Sequence, residues 1–402
     1  MPLTKLVVKN YKSLKDFKLD LKPLMVFIGP NNTGKSNIFD CFKFLSEAIK
    51  PNGLQSSIIQ RGGFSNIVFN GEIAKTISIE LHGSIQINRE EKSYKYIIEL
   101  KGDRLGNFYN NREIFALKGP IYPSPSKVTG GTKPIFEELK LLEFPVENGM
   151  AVARDETGKQ MGGFGAGNNI VYLSLFSDPL HYPVLGSFYN EVQNWAFFNF
   201  VPQLMRNPLP IQKELQLKFL GENVATVLHA LQTEYPQRFK RIEDILKSVI
   251  PQFDELGTGL TAIPGQTYIK MKERDLNVDI PAWSMSDGLL RLLGLLISFY
   301  SPSPPPLACY EEPENFVHPR LLELIVDLLK NASENKTQIM ATTHSPYLVD
   351  LLQPEDLFIV EKKDGETKVK KAEDKKGIKE AIKTLGLGDL WYSGSLGGNP
   401  NI

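Results

Sequence analysis

The stretch Leu24-Met25-Val26-Phe27-Ile28-Gly29-Pro30-Asn31-Asn32-Thr33-Gly34-Lys35-Ser36-Asn37 governs how the chain is read. The apolar run at residues 19–28 reads as a strand, and Ile38, Phe39, Phe42, Leu45 and Ile49 then recur at helical spacing. Pro51-Asn52-Gly53 ends that helix. Strand, glycine loop, helix is the setting in which G-x-x-x-x-G-K-[ST] binds nucleotide phosphates, and residues 29–36 fit the pattern in full. Gly29 and Gly34 let the backbone wrap an anion with successive N–H groups turned inward. The following helix adds its positive N-terminal end. Lys35 is then the countercharge for the β- and γ-phosphates, and the Ser36 hydroxyl a ligand for Mg²⁺. The expected contacts to ATP are Gly29, Asn31, Asn32, Thr33, Gly34, Lys35, Ser36 and Asn37.

Composition bounds the rest. Hydrophobic content of 42% with 23% charged residues is that of a chain able to fold around a core. Lys+Arg and Asp+Glu are both 46, which excludes a strongly basic protein that coats nucleic acid. Cys41 and Cys309, both in apolar surroundings, read as buried reduced thiols, not a disulfide framework. No apolar core marks a signal peptide at the N-terminus. The greasiest stretch, residues 289–300, contains Arg291 and is too short to span a bilayer. The expectation is a cytoplasmic protein with no membrane partner.

Along the chain, residues 5–9 read as a strand and 10–14 as a turn. Residues 77–81, 85–87 and 94–100 read as an antiparallel meander. Residues 103–170 are rich in Gly, Pro and Asn and read as loop, with 157–169 as a flexible surface segment. Residues 180–200 and 220–250 read as helices, and the aromatic group Trp195, Phe197, Phe198 and Phe200 as core in preference to a base-stacking platform. A β-like run at 267–280 and an apolar helix at 283–300 follow. Strands are expected at 307–310 and 338–342, with a helix at 319–330 between them. A hairpin of 357–361 with 367–371 closes the pattern.

Two of these strands end in chemistry. Leu307-Ala308-Cys309-Tyr310 delivers Glu311-Glu312-Pro313-Glu314-Asn315 at its C-terminal end, where open α/β sheets bind ligands. Two adjacent acids divide into roles, with Glu311 holding Mg²⁺ or its water shell and Glu312 polarising the attacking water. The strand at 338–342 ends in Thr343-His344-Ser345-Pro346, which brings His344 toward a γ-phosphate. A fourth element, Trp283-Ser284-Met285-Ser286-Asp287-Gly288, opens an apolar helix. It reads either as a phosphate contact or as an ordinary cap made by Ser286 or Asp287.

Phosphate loop, signature turn, acidic strand and histidine strand, in that order, resemble the ABC-type ATPase heads of the SMC/RecF and OLD-like AAA-family ATPases. The opening at residues 6–17 resembles that group's first strand and turn. The run from Glu311 to Pro319 and the Thr343–Pro346 tetrapeptide are similar to the OLD-like branch. The resemblance covers residues 1–80 and 280–360. It implies an α/β fold, an ABC-type P-loop head with a mixed β-sheet flanked by helices and an antiparallel β subdomain, plus a mainly helical insertion. The expected division is 1–103 and 266–402 for the two halves of the head, and 104–265 for the insertion.

The resemblance further implies that Glu311 is the Walker B acid, Glu312 the catalytic glutamate and His344 the switch histidine. Ser286, Asp287 and Gly288 become a signature loop acting in trans, so that a head-to-tail homodimer, or a higher homo-oligomer, sandwiches two ATPs. Asp287 stands where transporter signatures have Gly, and Glu311 where most Walker B strands have Asp. Gln60 is available as a Q-loop residue, although Gln60-Arg61-Gly62-Gly63 reads as a turn. Residues 345–402 are too few for the Toprim domain of OLD nucleases, and the middle lacks the heptads of SMC arms. The expectation is an ATPase without its own nuclease, whose nucleotide state controls a separate effector protein, in bacterial anti-phage defence. The alternative is a repair or recombination ATPase for which nucleic acid is the direct partner.

Overall fold

The computed structural model describes residues 2–87, 90–121, 136–146, 149–165, 169–382 and 384–397. They fall into two compact units. One comprises Met1–Lys22, Gly29–Trp195 and Val360–Lys370; the other Pro23–Ile28, Ala196–Ile359 and Lys371–Ile402.

The first unit is built on β1 (Leu3–Tyr11) and β2 (Leu14–Asp20), whereas β3 (Leu24–Ile28) belongs to the second. The expected single strand at 19–28 is therefore two. The chain turns at residues 21–23, and Leu21 N–H donates to the Thr4 carbonyl. There follow β4 (Ile77–Ile87), β5 (Glu90–Gly102), β6 (Phe108–Ile121), β7 (Phe136–Phe144), β8 (Ala151–Arg154) and β9 (Gln160–Phe164). They form an antiparallel sheet in the order β2-β1-β4-β5-β6-β7-β8-β9. In β4 the side chains alternate buried and half-exposed, as a sheet with one dry face requires.

Of the stretch read as loop, 103–170, most of the described residues are thus strand, and 122–135 and 147–148 lie outside the described residues. Gly106 and Asn107 sit in the turn Asp103–Asn107, where the Asp103 carboxylate accepts from the Leu105 and Asn107 amides. Residues 166–168 of the expected flexible segment lie outside the described residues, and residues 160–164 of it form β9.

On the dry face Phe188, from the helix Pro183–Gln193, meets Tyr94, Tyr96 and Phe115 at ring-centroid distances of 5.1, 5.2 and 5.0 Å. Glu113 is buried beneath them and accepts from Tyr96 Oη, Asn110 Nδ2 and the Tyr172 and Leu173 amides. Burial pushes its carboxyl up to about 7 against those four bonds.

In the second unit, β10 (Ala196–Phe198) replaces the C-terminal part of the expected helix at 180–200. A small antiparallel sheet holds β11 (Leu209–Pro210), β12 (Phe253–Leu260), β13 (Gln266–Glu273) and β14 (Ile280–Pro281). The helical stretch 220–250 breaks at Pro236 into Val224–Glu234 and Pro236–Val249, because proline cannot donate to a continuing helix. The central sheet comprises β15 (Leu307–Glu311), β16 (Gln338–Thr342), β17 (Leu357–Lys363) and β18 (Glu366–Lys371), in the order β10-β15-β16-β3-β17-β18. From β10 to β17 neighbouring strands are parallel.

Strands covered on both faces read as unbroken apolar runs, and all five residues of β3 are buried. Asp364 and Gly365, at φ 53° and 79°, make the two-residue turn of the expected final hairpin, whose end from Val360 belongs to the first unit. Phe198 and Phe200 are buried, with Phe198 5.0 Å from the Tyr310 ring, so that part of the aromatic group is core. Cys41 and Cys309 are buried free thiols. Among the described residues no helix is long and apolar enough to cross a membrane.

Candidate nucleotide site

The phosphate loop leads from β3 into the helix α1 (Lys35–Ala48). Three residues take the left-handed backbone the loop needs: Gly29 at φ 149°, Asn32 at 64° and Gly34 at 100°. Gly29 is tied to glycine by contact as well, since a Cβ would lie 2.2 Å from the Val360 carbonyl oxygen. Lys35 is buried and its Nζ donates to the carbonyls of Gly29 (2.7 Å) and Pro30 (2.9 Å), so the cation is folded over the loop. Thr33 Oγ1 donates to the Pro30 carbonyl at 2.9 Å. Asn31, Asn32 and Ser36 are exposed. No side chain caps α1 and no acid lies in its first turn, which suits an anion at its N-terminus.

A wall behind the loop was not legible in the sequence. Thr367 Oγ1 donates to the Thr33 carbonyl (2.7 Å) and shares a 2.6 Å hydrogen bond with Ser13 Oγ. Asn37 Nδ2 donates to the same Ser13 oxygen at 2.7 Å. Asn37, expected at the nucleotide, is engaged in this wall. A Cβ on Gly34 would meet Thr367 Oγ1 at 2.0 Å and Ser13 Oγ at 2.7 Å. Ser13 and Thr367 are 354 residues apart, and no local pattern announces such a pair.

One turn along α1, Asp40 accepts from Tyr11 Oη (2.7 Å) and pairs with Lys12 (2.5 Å) and Arg61 (2.8 Å). Burial works to raise the Asp40 carboxyl, but the bonds and charge of Arg61 and Lys12 outweigh it and hold the group below its ordinary range. Gln60 is exposed and closes the helix α2 (Gly53–Gln60). It is at a helix end, not a strand end.

In the second unit, β15, β16 and β3 are consecutive parallel strands in which Glu311 is level with Thr342, and Thr342 with Phe27. The segments that begin at Glu312, Thr343 and Gly29 therefore leave neighbouring strands at the same edge of the sheet. Asn199 Nδ2 donates to Glu311 Oε2 at 3.0 Å. Glu312 takes a left-handed backbone, φ 46°. Its N–H donates to the Thr342 carbonyl (3.1 Å), and its carbonyl accepts from Arg291 Nη1 (3.0 Å) and from the Asn315 amide (3.1 Å). Its carboxylate takes a hydrogen bond from Asn315 Nδ2. The structure brings Glu312 and His344 together at 3.6 Å between Oε1 and Nε2, in ion-pair range and beyond a hydrogen bond.

Glu314 passed unremarked as a site residue in the sequence, although it belongs to the same acidic run. It is buried, and its Oε1 accepts from Thr343 Oγ1 (2.6 Å) and the His344 amide (3.1 Å). Burial pushes its carboxyl above the ordinary range against these bonds.

The turn at 284–288 begins the helix Asp287–Phe299, four residues later than expected. Ser286 caps it, its Oγ accepting from the Leu289 amide at 3.3 Å. Asp287 pairs with Arg206 at 2.6 Å, and Arg206 also donates to the Met285 carbonyl. Gly288 allows a close approach, since a Cβ there would meet the Phe316 carbonyl oxygen at 2.3 Å. Arg291, one turn on, lies with its guanidinium 5.4 Å from the Phe316 ring.

Ser36 and Glu311 offer a hydroxyl and a carboxylate oxygen, the hard donors Mg²⁺ accepts. Among the described residues no three of His, Cys, Asp and Glu cluster as a metal cage.

A family model described as AAA ATPase domain matches residues 1–148. A second, described as AAA domain, putative AbiEii toxin, Type IV TA system, matches residues 171–350. The crystal structure of the Smc head bound to the C-winged helix domain of ScpA aligns with a TM-score of 0.55 at 14% identity, over 92% of this chain and 97% of that one. Alignments to the SMC head domain from Thermotoga maritima (16% identity, 92% and 99% covered) and to the Pyrococcus furiosus Smc head with an extended coiled coil (14%, 95% and 99%) give TM-scores of 0.42 and 0.48. No curated protein sequence matches the chain. These findings define the class: two AAA-type ATPase domain models match separate parts of the chain, and its fold is similar to that of an Smc ATPase head.

Proposed function

We propose that this head binds Mg-ATP on residues 29–36, hydrolyses it with Glu312, and works as a head-to-tail homodimer. One observation carries the reading: the phosphate loop, the acid pair and the histidine segment all leave adjacent parallel strands at one sheet edge, in register.

Backbone amides from Asn31 to Ser36 cradle the phosphates, and Lys35 swings from the Gly29 and Pro30 carbonyls to the β- and γ-phosphates. Bound Mg²⁺ neutralises charge that builds on the phosphates. Ser36 and Glu311 are the residues that would hold it, Glu311 being oriented by Asn199. Glu312, with its backbone fixed by Thr342 and Arg291, accepts a proton from the attacking water; His344 stands beside it on the segment that follows β16. Ser286, which is exposed, with the half-buried Asp287 and Gly288, completes the partner copy's site from the start of a helix.

Segments 1–103 and 266–402 supply the two halves of the head, and 104–265 inserts between them. The output is the geometry of the dimer, read by a separate protein. The ScpA domain seated on an Smc head in the related structure supports such a partner. The role is anti-phage defence in the cytoplasm; the likeness to a domain described as a putative toxin of a type IV TA system supports the defence part alone.

Glu312→Gln tests this. It removes the base without disturbing the phosphate loop, so ATP binding persists, turnover falls by about two orders of magnitude or more, and an ATP-dependent dimer accumulates in sedimentation. Undiminished turnover in that variant contradicts the assignment.

A further inference from the structure

We propose that Glu314 is a positioning residue for hydrolysis, acting through His344; the inference rests on the roles given above to Glu312 and His344. Glu314 holds three consecutive residues of the histidine segment. Its Oε1 accepts from the His344 amide (3.1 Å) and from the Thr343 hydroxyl (2.6 Å). That hydroxyl oxygen in turn accepts from the Ser345 amide at 3.0 Å. The backbone on both sides of His344 is therefore clamped to one carboxylate.

The clamp starts two residues after Glu312 in the same turn. The Asn315 amide closes that turn on the Glu312 carbonyl, and the Val317 amide bonds to the Glu314 carbonyl. Glu314 thus sets how far the imidazole stands from the Glu312 carboxylate, a separation of 3.6 Å.

The chemistry of the residue argues for more than adhesion. Glu314 is 8% exposed, Thr343 is fully buried, and Glu314 Oε2 is buried with no hydrogen-bond partner among the described residues. A buried carboxylate oxygen left without a donor destabilises a fold, and an amide or an apolar residue would tie two segments at lower cost. What a carboxylate adds is a stronger acceptor for two converging donors, and hence a tighter position. A catalytic group displaced by about 1 Å loses about 10²-fold in rate, so position is where the benefit falls.

The test is steady-state ATP hydrolysis and equilibrium ATP binding for wild type, Glu314→Leu, Glu314→Gln, Thr343→Val, His344→Ala and the double variant Glu314→Leu/His344→Ala. Glu314→Leu is expected to lower kcat about 10²-fold with ATP affinity within about threefold of wild type. Glu314→Gln, which keeps one acceptor oxygen, recovers at least about tenfold of that loss. The double variant is no more than about threefold slower than His344→Ala alone, because the two act as a unit.

Losses that multiply in the double variant, or a Gln variant as slow as the Leu variant, overturn the proposal. So does a fall in ATP affinity with kcat intact. Thr343→Val removes only the hydroxyl link, and covers a Leu variant that does not fold. It is expected to lower kcat at least about fivefold, and wild-type kcat in that variant overturns the proposal. Should Glu312→Gln itself turn over ATP like wild type, the underlying role assignment fails. Should Glu312→Gln be inactive while Glu314→Leu is unimpaired, only the positioning role fails.

Discussion

Replacing Gly34 by alanine is the smallest change that sets the phosphate loop against the wall behind it. Gly34 sits at φ 100°, a conformation in which an L side chain is strained by roughly 1–2 kcal/mol. The added Cβ would also lie 2.0 Å from Thr367 Oγ1 and 2.7 Å from Ser13 Oγ, both far inside contact distance. Relief requires Thr367 to move, which breaks its bonds to the Thr33 carbonyl and to Ser13. Overpacking of this kind costs about 1–3 kcal/mol. The sum is about 2–5 kcal/mol, or a melting-temperature fall of roughly 2–6 °C. ATP affinity should drop with it, because the displaced backbone is the proposed phosphate cradle.

Differential scanning fluorimetry with and without Mg-ATP reads both effects. Adding Thr367→Ala to Gly34→Ala removes the worst contact, so the pair should be less unstable than the sum of the single variants by about 1 kcal/mol or more. A Gly34→Ala protein with wild-type stability and ATP affinity refutes the reasoning, as does strict additivity in the pair.

Lys35→Ala removes the buried cation over the loop and should weaken ATP binding roughly 10²-fold in calorimetric titration; unchanged affinity would contradict the phosphate-loop reading. Asp287→Asn weakens a partly exposed ion pair with Arg206. It should alter stability by less than about 1 kcal/mol yet slow ATP turnover, and unaltered turnover speaks against the trans role of the turn. Glu113 gives a pH signature. Its carboxyl is raised in the folded chain from 4.5 to about 7, so the native state keeps a proton that the unfolded chain releases. Its contribution is favourable below about pH 4.5 and is lost as pH rises through about 7, by at most about 3 kcal/mol. Chemical denaturation of wild type and Glu113→Gln at pH 5 and 8 should show a smaller pH dependence in the variant.

The sequence was most informative where function depends on consecutive residues. Residues 29–36 carry their own backbone requirements, and parallel strands buried on both faces announce themselves as apolar runs. The strands β6 and β7 were hidden, because glycines and asparagines inside β6 and in the connecting turns lower the average over the window. The break of 180–200 into a helix and β10 was equally hidden, since both states are apolar there and only pairing with β15 decides between them. Ser13, Thr367, Arg291 and Asn199 act through partners far away in sequence, which no local period encodes. Glu314 was in plain view, yet burial and two donors distinguish it from a solvated acid, and those are properties of the fold.

The claim that each ATP site is shared between two copies of the chain is tested most directly by mixing two defective variants, Lys35→Ala and Ser286→Arg. Each alone disables both sites of its homodimer, one at the phosphate loop and the other at the signature turn. In a mixed dimer both defects fall on the same site, and the other site is intact. An equimolar mixture should therefore recover ATP hydrolysis, up to roughly a quarter of the wild-type rate per chain, since half the dimers are mixed and each has one working site. A mixture that hydrolyses no more ATP than the two variants measured separately would contradict a shared site.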